Sequence, residues 1–76
     1  MKAILEFSLP EELSEFRQAS AATDLYLTIY EFDQKLRGWL KHGHEFATPD
    51  DALQHARDAL REYMSDNGVL GIVLEC

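Results

Sequence analysis

Val69-Leu70-Gly71-Ile72-Val73-Leu74-Glu75 is the stretch on which the fold class turns. Leu70, Ile72 and Leu74 fall on one side of an extended chain and Val69, Gly71 and Val73 on the other, a period of two that predicts a strand. Lys2 to Phe7 reads the same way, with Ala3, Leu5 and Phe7 opposite Lys2, Ile4 and Glu6. Pairing the two segments predicts an α+β fold, strand-helix-helix-helix-strand, with three helices packed on a small two-stranded sheet formed by the two ends of the sequence. Strand direction stays open. Three helices running alternately up and down leave the strands parallel, and a short skewed first helix makes them antiparallel.

Working inward, Ser8-Leu9-Pro10-Glu11 reads as a capping box with proline in the first turn, and Glu11 and Glu12 suit the positive end of a helix dipole. Leu9, Leu13, Phe16 and Ala19 form the expected buried stripe of this first helix. The small residues Ala19-Ser20-Ala21-Ala22 weaken the pattern, and a break is predicted near there, before a new cap at Thr23 or Asp24. The second helix is the clearest, because Leu25, Ile29, Phe32, Leu36 and Trp39 or Leu40 recur at three- and four-residue steps. Its outer face carries Glu31 before Lys35 and Asp33 before Arg37, two i,i+4 pairs, and Gly43 supplies a stop. After a loop over 42–47, Thr48-Pro49-Asp50-Asp51 gives the third helix a cap, a proline at the first position and an acidic first turn. Leu53, Ala56, Leu60 and Tyr63 or Met64 form its inward stripe, and Asn67-Gly68 ends it.

The 76 residues carry 14 acids and 7 bases, a net charge of −7, with 46% hydrophobic residues, which together predict one folded acidic domain spanning 1–76. No apolar run reaches the ~18 residues of a membrane span, and Glu6 arrives too early for a secretory leader, so a cytoplasmic protein is expected. The acidic balance argues against direct binding to nucleic acid, which needs clustered Lys and Arg, and favours a basic protein partner. Cys76 has no second cysteine for an internal disulfide; a bridge between two chains is left open under oxidising conditions.

Catalytic signatures are absent. No serine lies in a nucleophile elbow, and the four glycines fit no phosphate-loop spacing. The carboxylate pairs Glu11-Glu12 and Asp50-Asp51 are explained by helix starts. His42, His44, Glu45 and His55 form the single metal-like group, but two histidines in a glycine loop are ordinarily solvated, so no metal or other cofactor is expected and the chain reads as a non-enzyme.

Charge placement is more informative. Residues 1–33 and 45–76 each sum to −5, and residues 34–44 to +3. Glu11 and Glu15 repeat at i,i+4, as do Asp58 and Glu62, with Asp51 seven residues before Asp58 on the same side. Such rows hold carboxylates several Å apart, a spacing comparable with successive nucleic-acid phosphates. Candidate partner-binding residues are therefore Glu11, Glu12, Glu15, Asp51, Asp58 and Glu62. Tyr26 and Tyr30, one turn apart and rimmed by Glu31 and Asp33, are candidate anchors, with core packing expected of at least one. The predicted ribbon leaves Ile4, Val69 and Val73 uncovered on one face. Two arrangements satisfy it: a homodimer through Ile4, Val69, Val73 and Cys76, or a first helix wrapped over the face.

Lys2-Ala3-Ile4-Leu5-Glu6-Phe7-Ser8-Leu9-Pro10-Glu11-Glu12 and the later Phe32-Asp33-Gln34-Lys35-Leu36-Arg37 resemble small acidic proteins of tailed phages and prophages. The resemblance covers most of the chain and carries no chemical motif. A few such proteins are anti-CRISPR inhibitors, some of which occupy the DNA-binding surface of a type I Cascade complex. What the resemblance implies here is an inhibitor in the host cytoplasm that mimics DNA toward a basic host protein or complex such as Cascade. The alternative is a structural or regulatory phage homodimer without such a target.

Overall fold

The computed structural model describes residues 1–74, which form four helices: α1 (Leu13–Ser20), α2 (Ala22–His42), α3 (Pro49–Asp66) and α4 (Leu70–Leu74). Among the described residues there is no strand, so the α+β expectation is corrected to an all-α fold. Residues 2–7 form no helix or strand, and the segment read as the second strand is α4.

The cause lies at the end of α3. Gly68 takes φ +74°, its N–H donates to Ser65 O at 3.1 Å, and the Val69 N–H donates to Met64 O at 2.8 Å. These two bonds make a Schellman motif, in which the residue after the left-handed glycine packs on the residue five before it. Val69 and Met64 do meet, and with Ala21 they form the core cluster, flanked by Leu25, Leu60, Leu70 and Ile72. Val69 is thus turned inward and the chain enters another helical turn, closed by Val73 N–H to Val69 O at 3.0 Å. Nothing then faces residues 2–7 as a strand partner. The ribbon-based dimer surface goes with the sheet: Val69 is only 1% exposed in the core, whereas Ile4 and Val73 are exposed without forming one face of a sheet. Cys76 lies outside the described residues.

α1 begins later than expected. The Ser8 N–H donates to Glu12 Oε1 at 3.1 Å and Ser8 O accepts from the Glu12 N–H at 2.8 Å, so the partner of Ser8 is Glu12 and not Glu11. Residues 9–12 form a turn, and no residue of α1 is buried; Leu9, Leu13 and Phe16 are exposed. Phe16 is tied down by an edge-to-face contact with Phe7, ring centroids 5.8 Å apart. Ala21 alone separates α1 from α2, ahead of the cap predicted at Thr23 or Asp24.

α2 and α3 make the main helix pair, with α1 against α2 and α4 against α3. α2 turns Leu25, Phe32, Leu36 and Trp39 toward its neighbours as expected, but Ile29 and Leu40 are exposed and buried Thr28 takes the place assigned to Ile29. In α3, Met64 and Ala59 are buried, Ala56, Leu60 and Tyr63 half-buried, and Leu53 exposed. The α3 start matches the sequence reading: Thr48 Oγ1 accepts from the Asp51 N–H at 3.0 Å, and Asp51 Oδ2 accepts from the Ala47 N–H at 3.2 Å. Thr48→Ala is expected to cost about 1 kcal/mol and to lower Tm by about 4–8 °C in a thermal melt followed by circular dichroism. An unchanged Tm would mean that the cap is redundant.

The molecule is open and flat. Its extents are 50 × 34 × 17 Å and its radius of gyration is 16.3 Å, against about 11 Å for a compact chain of this length. No helix among the described residues is long and apolar enough to cross a membrane.

Candidate functional site

The six acidic candidates divide between two places. Glu11 and Glu12 lie in the turn before α1 and Glu15 in its first turn, while Asp51, Asp58 and Glu62 lie along α3. Several already have local roles. Glu12 holds the Ser8 N–H, Asp51 holds the Ala47 N–H, and Asp58 Oδ1 accepts from Gln54 Nε2 at 2.8 Å. Glu11, Glu15 and Glu62 are exposed. No lysine or arginine makes an ion pair with these acids among the described residues; the one pair is His55 Nδ1 to Asp51 Oδ1 at 3.4 Å. The i,i+4 pairs read on α2 are not made either. Glu31 instead accepts from Asn67, and the Lys35 ammonium sits 5.4 Å from the Trp39 ring centroid.

Tyr26 and Tyr30 are both exposed, at 68% and 55%, so neither is a core residue. Ile29, also 68% exposed, falls between them on the same helical face. Asp33 continues this face one turn on. The result is an apolar, aromatic strip on α2 ending in a carboxylate. Glu31, read as part of its rim, is half-buried and turned to Asn67.

A second feature escaped the sequence reading. Phe46 stacks on His44 and meets the tilted ring of His55, each with centroids 4.6 Å away, and meets Trp39 edge-on at 5.0 Å. His44 Nδ1 accepts from the Phe46 N–H at 3.2 Å, which places the proton of the neutral ring on Nε2. His55 Nδ1 faces Asp51 O at 2.8 Å as well as the Asp51 carboxylate, both acceptors, so there Nδ1 carries the proton. His44 and Phe46, with Trp39, line an apolar groove of about 340 Å³ between the end of α2 and the start of α3, together with Leu36, Leu40, Leu53 and Ala56. Among the described residues no group of three or more His, Asp or Glu side chains is placed to hold a metal ion.

Fold and surface together define a small all-helical protein, acidic, open and rich in exposed apolar side chains. No protein family, no curated protein and no solved structure matches the chain. Cascade, or any other named target, is therefore not specified by likeness, and the surface itself specifies only a chemistry.

Proposed function

We propose that the protein is a non-enzymatic binding protein that docks on a basic surface of another protein and competes there with nucleic acid. The observation that carries this reading is the state of the carboxylates: Glu11, Glu15, Asp58 and Glu62 are exposed and have no Lys or Arg partner within the described residues. Unneutralised charge of one sign steers a chain toward the opposite sign and slows encounter with like-charged surfaces. Tyr26, Ile29 and Tyr30 supply what charge alone lacks, a desolvated apolar contact that slows dissociation. The two parts have separable signatures, since charges at the edge of an interface act on association rate and salt dependence, and buried anchors act on dissociation.

The test is capture from bacterial lysate on the immobilised protein, with and without a competing DNA duplex. Bound protein is expected to leave in about 0.5 M salt, where charges more than a few Å apart are screened, and to be displaced by the duplex. Reversal of Glu11, Glu15, Asp58 and Glu62 to lysine is expected to weaken capture at least about tenfold. Retention that ignores salt, duplex and reversal alike would refute the mechanism.

A further inference from the structure

The accessible surface of the chain is 6336 Å², about 1,600 Å² more than the roughly 4,700 Å² of a compact protein of its mass. That excess is about twice what each partner contributes to an interface of standard size. Much of it is apolar and lies outside the α2 strip. Ile4 and Leu5 are each 79% exposed on the segment before Phe7.

One recess complements that segment in charge and in apolar character. Between α1, α3 and α4 lies an open groove of about 670 Å³ lined by Leu70, Ile72 and Leu74 together with Arg17 and Arg61. In a chain of net charge −7 this is a local concentration of positive charge, and neither arginine forms an ion pair among the described residues. A second recess, of about 550 Å³, shares Arg17 and Ile72 and is bordered by Glu11. Laid down in extended form, residues 2–6 project Ile4 and Glu6 to the same side, about 6.5–7 Å apart, so one face of such an arm offers an aliphatic group and a carboxylate together. Phe7, held against Phe16, fixes where this arm leaves the body.

We propose that two copies of the chain associate by exchanging these arms, residues 2–6 of each lying in the Arg17–Arg61 groove of the other, with Ile4 on Leu70 and Ile72 and Glu6 between the two guanidinium groups. The arrangement is two-fold, so each copy gives one arm and receives one. It removes apolar surface that a single chain leaves in water and pairs two arginines with the carboxylate nearest the arm's root. It also leaves Glu15, Asp58, Glu62 and the Tyr26–Tyr30 strip outside the exchange, so it stands whether or not a basic partner exists.

Glu6→Arg and Arg61→Glu, made separately, test it. Wild-type protein in analytical ultracentrifugation is expected at twice the chain mass. Each variant is expected to dissociate at least about tenfold more readily, with circular dichroism showing its helices intact. In an equimolar mixture of the two variants both arm-to-groove contacts of the mixed dimer are complementary. On one side the arginine introduced into the arm meets the glutamate introduced into the groove, and on the other native Glu6 meets native Arg61. Twice the chain mass is expected to return. A wild-type monomer over a hundredfold range of concentration would overturn the proposal, as would single variants as dimeric as wild type. A mixture that stays monomeric would do so too, because an arm folded onto its own groove cannot be rescued by a second chain.

Discussion

Met64→Ala is expected to be the most damaging single truncation in this chain, costing about 2–5 kcal/mol. Met64 is 3% exposed and is the longest side chain of the core cluster it shares with Ala21 and Val69, so its truncation removes much of the side-chain volume at the centre of the core. It is also the residue on which Val69 packs to close the Schellman turn, so its loss loosens the hold on α4 as well as the α2–α3 contact. A chain of this size has about 3–5 kcal/mol of core stability in all, so the variant should be largely unfolded in buffer. Its ellipticity at the helical minimum should already be reduced, and its urea transition should lack a native baseline. Because association stabilises any chain that binds its own copy, the comparison belongs at matched protein concentration. Leu53→Ala is the control: Leu53 is 68% exposed, and the change should stay within about 0.5 kcal/mol. Equal urea midpoints for Met64→Ala and wild type would show that the core lies elsewhere.

The same small core explains what the sequence could and could not tell. Thr48-Pro49, Asn67-Gly68 and Gly43 mark helix ends through local chemistry, a cap oxygen or a backbone at positive φ, and these ends fall where the residues predict them. Helix faces were less legible. Periodicity assigns Ile29 to the interior because it is apolar, yet Thr28 lies there, its hydroxyl satisfied one turn back by donating to Asp24 O at 2.8 Å. A polar residue that meets its own hydrogen-bonding needs looks to hydropathy like a surface residue. Val69–Leu74 failed for a different reason. A short apolar run fits a strand and a helical turn equally well, and the arbiter is whether a partner strand exists. The clue was in the sequence all the same, because Met64 and Val69 bracket Asn67-Gly68 at the separation that a Schellman motif requires.

Of the candidate surface, the charges were legible and their arrangement was not. Glu11, Glu15, Asp58 and Glu62 could be read as unpaired only once Arg17, Arg57 and Arg61 had positions, and i,i+4 spacing gave no hint that Lys35 would prefer the Trp39 ring to Glu31. The His44–Phe46–His55 cluster was hidden by treating 42–47 as a solvated loop. Three aromatic rings, Trp39, His44 and Phe46, flanking one left-handed glycine at 43 were the available signal.

Asn67→Asp should come second in effect, at about 2–3 kcal/mol, through lost hydrogen bonds and like-charge repulsion with almost no change of shape. Asn67 Nδ2 donates to Thr28 Oγ1 at 2.9 Å and to Glu31 Oε1 at 3.0 Å, joining the C-terminal end of α3 to the middle of α2 across 39 and 36 residues of sequence. Aspartate is nearly the same shape, and the backbone at 67, φ −90° and ψ 2°, suits it equally well. What changes is chemical: both donors vanish, and a carboxylate is set beside that of half-buried Glu31. Bonds to a charged acceptor are the stronger kind, and like charges at this distance repel instead. Asn67→Ala should cost less, since Glu31 then turns to water without facing a second acid. A double-mutant cycle with Thr28→Val isolates the buried half of the clamp, and its coupling is expected to exceed about 0.5 kcal/mol. Additive losses in urea denaturation, with Asn67→Asp no worse than Asn67→Ala, would mean that apolar contacts alone hold α2 against α3.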